Sequence, residues 1–212
     1  HDGEQVIGAN SFIDPAHPDA VEYQVEAINS IVENYDVDGI TSTCVVTDYL
    51  RGKGLKCIPY IPDRNGEGYG VNNGALDTLH AQGVTLVITV DCGITNLDEV
   101  THASSLGLDV VITDHHECSG QAIPNAVAVV DPKRPGSQYP NSGLAGVGVA
   151  YKLLCALEGD STQVLRDYGD LVAIGTVADV MPLTGENRYL VAQGLAQINT
   201  NPRPGIRALL HE

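Results

Sequence analysis

Residues 86–93 read LVITVDCG, a short apolar run that ends in an aspartate, a cysteine and a glycine. Residues 110–116 repeat the pattern as VVITDHH, where the run ends in an aspartate and two histidines. Short runs that are apolar throughout and rich in β-branched residues are typical of parallel strands covered on both faces. We therefore predict two buried parallel strands whose carboxyl ends carry acidic and imidazole side chains.

The rest of the chain extends this alternation of strands and helices. Further strand-like runs lie at residues 31–32, 55–61 and 126–130. Helical patterns occupy residues 20–28 and 40–51. A third predicted helix is capped by Asn72 and ends near Gly83, and a fourth begins with a capping box of Asn96 and Glu99 and ends at Gly107. This order predicts a doubly wound α/β fold with a mainly parallel sheet and helices on both faces.

The C-terminal part is predicted to be helical, with helices at residues 167–180 and 186–198 and a short helix from Pro204. The chain of 212 residues is 43% hydrophobic, which suffices for a sizeable core. We expect a single catalytic domain over residues 1–212.

The cysteines and the hydropathy bear on the cellular setting. The five cysteines form no C-x-x-C pair, which disfavours a disulfide framework or a zinc ribbon and favours a reducing compartment. No apolar run approaches the roughly 18 residues of a membrane span, and no signal peptide is recognisable. We therefore expect a cytoplasmic protein without membrane association.

The formal net charge of −16 argues against nucleic-acid binding, which usually requires a basic face. Two circumstances would make this negative charge compatible with nucleic-acid binding. Metal ions would neutralise clustered carboxylates, or a basic binding domain would lie outside this chain.

Four polar clusters each follow an apolar segment. They are residues 34–39 (NYDVDG), Asp91, Asp114-His115-His116, and Asp179 after residues 175–178 (GTVA). The first three would meet at the carboxyl ends of the strands, where ligands bind in open α/β sheets. Packed carboxylates repel one another unless a cation lies among them, and aspartate with histidine suits Mn²⁺ or Mg²⁺. Taken singly, each aspartate is equally well a helix cap, and Asp-x-Asp-Gly also occurs in calcium loops.

In order and spacing, these clusters resemble the four motifs of the DHH phosphoesterases. Further segments narrow the resemblance to the RecJ branch of single-strand-specific exonucleases. They are residues 61–64 (IPDR), 67–70 (EGYG), 143–148 (GLAGVG), 181–183 (MPL) and 186–188 (ENR). The resemblance runs from about Phe12 to the end of the chain.

This resemblance implies a metal-dependent enzyme that removes nucleotides from the 5′ end of single-stranded DNA in repair and recombination. It implies two bound ions, Mn²⁺ or Mg²⁺, and the following metal ligands: Asp36, Asp38, Asp91, His115, Asp179 and, more weakly, Asn34. His116, with Asp114 beside it in the motif, would lie by the metals and contact the scissile phosphate or support a ligand.

The sequence departs from the family pattern in two places. Asn34 stands where the family has a carboxylate, so one ion should be held weakly, or the chain is impaired. Glu33 should point to the opposite face of a strand and would not substitute. We expect the chain to correspond to the core alone, without the smaller substrate-binding domain that normally follows it in the family.

Substrate contacts are expected from Arg64, Tyr69, Gly146, Gly148 and Arg188. Tyr69 would stack on a base or pack internally, and the two glycines would approach a phosphate or allow close helix packing. Lys133 and Arg134 are equally well phosphate contacts or a solvated turn.

Two alternative functions stay open. One is a different DHH phosphoesterase, which acts on short oligonucleotides, cyclic dinucleotides or pyrophosphate. The other is a RecJ-like scaffold that keeps the fold but has lost catalysis, an interpretation that Asn34 alone supports.

Overall fold

The structure is a computed structural model that describes residues 36–62, 70–118 and 122–210. The predicted helix at residues 20–28 and the predicted strand at residues 31–32 lie outside the described residues, as do Asn34, Arg64 and Tyr69.

The described residues form a three-stranded parallel sheet in the order β1 (Leu86–Val90), β2 (Asp109–Thr113) and β3 (Ala128–Val130). Val87 lies opposite Val110, and Val111 lies opposite Ala128. The predicted parallel pairing is therefore confirmed, with β3 starting two residues later than the apolar run.

Seven helices accompany the sheet in the part of the chain that the structure describes. They are α1 (Val37–Gly52), α2 (Asn73–Ala81), α3 (Leu97–Ser105), α4 (Gly146–Glu158), α5 (Ser161–Ala178), α6 (Gly185–Thr200) and α7 (Pro204–Leu209). The C-terminal part is helical, as predicted. None of the described helices is long and apolar enough to cross a bilayer.

The sheet separates two hydrophobic cores. Ile88 and Val90 face the larger core, which is built from buried side chains of α1, α4, α5 and α6. Val87, Val110 and Ile112 face the smaller core, which α2 and α3 complete. Both faces of the sheet are therefore covered. Because side chains alternate between the two faces of a strand, side chains on either face meet a core, and the strands appear in the sequence as continuous apolar runs.

Two helix starts differ in detail from the prediction. Helix α5 begins at Ser161, six residues before the predicted start, because the Asp160 carboxylate accepts the Thr162 and Gln163 amides and caps the helix. Asn96 precedes α3 but forms no capping box, since its side-chain amide donates to the Val71 carbonyl oxygen instead.

The strand predicted at residues 55–61 is wrong for this structure, in which the segment has no regular secondary structure. Residues 55–62 line a cavity of about 620 Å³ together with residues of α1, α2 and β1. The Arg51 guanidinium also donates a hydrogen bond to the Cys57 carbonyl oxygen at 2.8 Å. Leu55 and Ile58 are exposed, whereas a buried strand would require the opposite.

All five cysteines lie within the described residues and are free thiols, as predicted. Each of the five is half-buried.

Candidate metal centre

The carboxyl ends of the strands are tied together by backbone hydrogen bonds. Asp91 follows β1 and donates its N–H to the Thr113 carbonyl oxygen, and Asp114 follows β2 and donates to Val130. Asp91 has a φ of 58°, a left-handed conformation that costs energy and often marks functional sites. The two predicted aspartates are both buried at this edge of the sheet.

His115 lies at the centre of the cluster. Its Nε2 atom is 3.0 Å from Asp91 Oδ1, 3.7 Å from Asp179 Oδ2 and 3.9 Å from Asp38 Oδ2. Burial lowers the pKa of His115, but the surrounding carboxylates, Asp91 first, outweigh it and raise the pKa to about 9. A positive charge at this position is therefore favoured, whether it comes from the imidazolium or from a metal ion.

Asp38 is fully buried and joins the cluster to helix α4. Its Oδ2 accepts the Gly146 N–H at 2.6 Å and its Oδ1 accepts the Val147 N–H at 2.8 Å. Ala145, which precedes the helix, has no side chain that can cap it, so Asp38 caps the helix although it lies far away in the sequence. Burial, and then the Asp91 charge, nevertheless raise the pKa of Asp38 to about 7.

Asp114 is positioned to orient its neighbours. Its Oδ2 accepts the Ile94 N–H, and its Oδ1 accepts the His115 N–H and the His116 Nδ1 hydrogen bond, both at 2.7 Å. Burial raises the pKa of Asp114, but these hydrogen bonds, that of His116 foremost, outweigh it and lower the pKa. The same contact raises the pKa of His116, whose side chain is 46% exposed.

Asp36 and Asp179 stand at ends of helices beside this cluster. Asp36 caps α1 by accepting the Asp38 N–H at 3.0 Å. Asp179 follows α5, and its Oδ2 is buried with no hydrogen-bond partner among the described residues. Burial, with a contribution from Asp36, raises the pKa of Asp179. A carboxylate oxygen with no donor of its own is suited to a cation.

Two overlapping groups of side chains could hold a metal ion. One comprises Asp91, His115 and His116, and the other comprises Asp38, His115 and Asp179; within each group the ligand atoms lie within 4.8 Å of one another. Carboxylate oxygens together with one or two imidazole nitrogens suit a divalent cation, and the carboxylates favour Mn²⁺ or Mg²⁺. The donor set and the raised pKa values of Asp38, Asp91 and Asp179 therefore fit a divalent cation.

Close approaches at two glycines bring the ligands together. A Cβ atom on Gly146 would lie 2.6 Å from both the Cβ and the Oδ1 of Asp91, and one on Gly175 would overlap Thr41. The absence of a side chain at Gly146 thus allows the start of α4 to pack against Asp91. The absence of one at Gly175 allows α5 to pack closely against α1, which brings Asp179 near Asp38. The Gly146 amide is bound by Asp38, which favours close packing over the phosphate contact.

Of the other predicted substrate contacts, Gly148 and Arg188 lie within the described residues, and neither is joined to the cluster by a hydrogen bond or ion pair there. A Cβ on Gly148 would meet the Leu144 side chain at 3.3 Å, which is again a packing contact. Arg188 is exposed on α6, and within the described residues no hydrogen bond or ion pair joins its guanidinium to the metal ligands. Lys133 forms an ion pair with Glu117 at 3.5 Å.

The sequence did not assign a role to Asn187, which is buried on α6. Its side-chain amide donates to the carbonyl oxygens of Gly143 at 2.6 Å and Pro182 at 3.1 Å, and its oxygen accepts from Asn141. Asn187 thereby ties the segment that leads into α4 to the segment that follows Asp179. The sequence signal that could have indicated this role is the position of Asn187 inside the motif at residues 186–188 (ENR).

Residues 30–176 match the DHH family, N-terminal domain. The chain is 46% identical over 180 residues to the single-stranded-DNA-specific exonuclease RecJ of Bacillus subtilis (strain 168), covering 85% of this chain and 22% of that protein. It is 41% identical over 198 residues to the exonuclease of the same name from Escherichia coli (strain K12), covering 85% of this chain and 33% of that protein. The chain thus spans a third or less of these relatives.

Two solved structures are similar to the described fold. The exonuclease RecJ bound to manganese superposes with a TM-score of 0.72 at 39% identity, covering 83% of this chain and 45% of that one. RecJ in complex with Mn²⁺ from Thermus thermophilus gives a TM-score of 0.67 at 33% identity, covering 90% of this chain and 28% of that one. The family match, the motifs and the geometry of the carboxylate cluster agree, and the chain belongs to the DHH family.

Proposed function

We propose that the chain is the catalytic domain of a metal-dependent phosphodiesterase that removes nucleotides from the 5′ end of single-stranded DNA, in repair and recombination. The observation that carries the proposal is the position of His115 Nε2 among the carboxylates of Asp91, Asp179 and Asp38, all within 3.9 Å. Such a cluster is self-repelling without a cation and is suited to binding Mn²⁺ or Mg²⁺.

The relatives support the substrate and the metal. Two curated relatives are single-stranded-DNA-specific exonucleases, and the similar solved structures contain manganese. Because the chain spans a third or less of the two curated relatives, we propose that residues 1–212 form the DHH domain alone and that a further substrate-binding domain belongs to the full-length protein. The free thiols support a cytoplasmic setting.

The site residues divide between two roles. Asp36, Asp38, Asp91, His115 and Asp179 would hold up to two ions, with Asn34 as a weak further ligand. Bound divalent ions polarise a phosphoryl group and promote attack by water on it. The Asp114 carboxylate accepts the His116 Nδ1–H and raises the pKa of His116, so the imidazolium form of His116 can donate a hydrogen bond or a proton from Nε2 to a phosphate oxygen.

The net charge of −16 sets a condition on this function. An anionic strand would be repelled by the metal-free cluster, whereas two divalent ions at the cluster would offset four negative charges locally. Binding of the strand by this domain should therefore depend on metal.

The test is cleavage of 5′-labelled single-stranded DNA in Mn²⁺ by the parent chain and by Asp91→Ala and Asp179→Ala. Each substitution should lower the rate by about a hundredfold or more, since a lost ligand removes several kcal/mol of transition-state stabilisation. Asp160→Ala is the matched control, because it removes an aspartate that only caps α5. Wild-type cleavage by Asp91→Ala, with the fold confirmed by circular dichroism, would refute the proposal.

The same assay separates the alternatives. A length series of labelled strands would favour a different DHH phosphoesterase if only the shortest oligonucleotides were cleaved. The scaffold alternative rests on Asn34 and requires that metal binds without cleavage in the full-length protein. The convergence of Asp38, Asp91, His115 and Asp179 in one cluster favours the enzyme.

A further inference from the structure

A buried aspartate outside the predicted ligand set lies beside the metal centre. Asp131 follows β3 and is 3% exposed. Thr113 and Val130 are paired in the sheet, and the Asp114 N–H donates to the Val130 carbonyl oxygen. The residues after β2 and β3 are therefore neighbours, which places Asp131 next to the Asp114-His115 segment.

Asp131 is held by only one of its two oxygens. Its Oδ1 accepts the Lys133 N–H at 2.6 Å, which closes a turn. Its Oδ2 is buried and has no hydrogen-bond partner among residues 36–62, 70–118 and 122–210. A buried carboxylate oxygen without a donor is costly, so a turn alone does not account for an acid at this position.

A complementary group is present on His115. Its Nε2 faces the carboxylate cluster, while its Nδ1 is also buried and lacks a hydrogen-bond partner within the same described ranges. Burial raises the pKa of Asp131, and the imidazole of His115 is one of the groups that oppose this shift. His115 follows β2 and Asp131 follows the paired strand β3, so the two residues lie at the same edge of the sheet, although no direct hydrogen bond joins them in the described structure.

We propose that Asp131 is a positioning residue for His115, and that Asp131 Oδ2 accepts the His115 Nδ1–H through one buried water molecule. A buried water commonly links polar atoms that cannot meet directly. A carboxylate on the far side of a ligating histidine fixes the tautomer and ring orientation and raises the basicity of the ligating nitrogen. This inference rests on the proposed metal site and assigns a supporting group to it.

The test uses variants that separate the turn from the proposed contact. Asp131→Ser keeps an oxygen that can accept the Lys133 N–H but lacks the second oxygen, and Asp131→Asn keeps two polar atoms. Asp160→Ser is the matched control, because Asp160 Oδ1 accepts the Thr162 N–H in a similar local contact far from the histidines. The readouts are the Mn²⁺ dissociation constant by calorimetry and the side-chain ¹⁵N–¹H signals of His115 in metal-free protein, assigned with His115→Gln.

We expect Asp131→Ser to weaken Mn²⁺ binding by about ten- to a hundredfold, as loss of such a partner typically does. It should also shift the His115 Nδ1–H signal and speed its exchange with solvent. Asp131→Asn should weaken binding less than Asp131→Ser, and Asp160→Ser should change neither readout.

Wild-type affinity together with unchanged His115 signals in Asp131→Ser would show that Asp131 only closes its turn, and would overturn the inference. If Asp131→Ser does not fold, the same two readouts on Asp131→Asn decide, and unchanged values there overturn it equally. If the parent chain binds no Mn²⁺, the proposed function fails, and the metal-free His115 signals still decide whether Asp131 positions the ring.

Discussion

Gly146 donates its backbone N–H to the Asp38 carboxylate over 2.6 Å, so that an acidic residue of α1 caps the N-terminus of α4. The Val147 N–H occupies the other oxygen. Asp38 is a proposed metal ligand, and a carboxylate already fixed by two helix amides is preorganised, because it needs no rearrangement when a cation arrives.

The first prediction contrasts Asp38→Asn with Asp179→Asn. An amide at position 38 would turn its NH₂ group toward a backbone N–H, which leaves a buried donor unpaired and should lower the free energy of unfolding by about 2 kcal/mol. Asp179 Oδ2 accepts no hydrogen bond in the described structure, so Asp179→Asn should leave the metal-free stability unchanged or slightly higher. Urea denaturation in EDTA measures both; equal destabilisation would contradict the capping role of Asp38.

The second prediction concerns pH. The pKa of Asp38 is raised to about 7 in the folded state, so its contribution to stability falls as the pH rises from about 4 to about 7. The pKa of His115 is raised to about 9, so its contribution is complete below the ordinary value of 6.5 and is lost as the pH rises through about 9. The metal-free protein should therefore become less stable between pH 4 and pH 9.

Mn²⁺ should reverse this dependence, since metal ligands bind in their deprotonated forms. The rise in melting temperature on adding millimolar Mn²⁺ should be larger at pH 8.5 than at pH 5.5. Thermal denaturation across this range, with EDTA as the reference, checks both slopes. A metal-induced rise that is greatest at low pH would contradict the assignment of these groups as ligands.

The third prediction compares one substitution at two sites in α4. Replacing glycine by alanine inside a helix usually stabilises it, by up to about 1 kcal/mol. In Gly146→Ala the new methyl group would lie 2.6 Å from Asp91, so we expect a loss of about 1–3 kcal/mol and weaker Mn²⁺ binding. In Gly148→Ala it would meet only the Leu144 side chain, at 3.3 Å. Gly148→Ala should therefore be neutral or nearly so; similar losses for both variants would refute the special role of Gly146.

The fourth prediction concerns Asn34, where the resemblance to the family implies a carboxylate. Asn34→Asp should tighten the weaker of the two ions and increase cleavage of single-stranded DNA, because it adds a negative charge to the ligand set. In metal-free protein the added repulsion should lower stability. Calorimetric stoichiometry and cleavage rates for both proteins provide the test. If both bind two ions equally and cleave equally, Asn34 is a neutral substitution.

The polar residues at the strand ends could be predicted from the sequence, because their position depends only on the neighbouring apolar run. An apolar run defines where β1 and β2 end, and the next residue must then lie at the carboxyl edge of the sheet. Asp91, Asp114 and His115 were found in this way, and the structure places all three at that edge. Parallel pairing followed from the same runs.

Contacts between distant segments could not be predicted in this way. Nothing local marks Asp38 as the cap of a helix that begins 108 residues later, and the glycine at position 146 was compatible with either packing or phosphate binding. Nothing in the sequence singles out Asp131, since its burial depends on the elements packed around it. The apolar run at residues 55–61 predicted a strand, but a strand also needs a neighbour to pair with, and no strand among the described residues pairs with this segment.

The wide spacing of the ligands along the chain has a kinetic consequence. Asp38 and Gly146 are 108 residues apart, and Asp91, His115 and Asp179 come from three further segments, so the cluster is complete only when both cores are assembled. Contacts of such high sequence separation are costly in loop-closure entropy and tend to form late in folding. A cation would then find its full ligand set only on the native side of the transition state. Mn²⁺ should accordingly slow unfolding while leaving the refolding rate nearly unchanged.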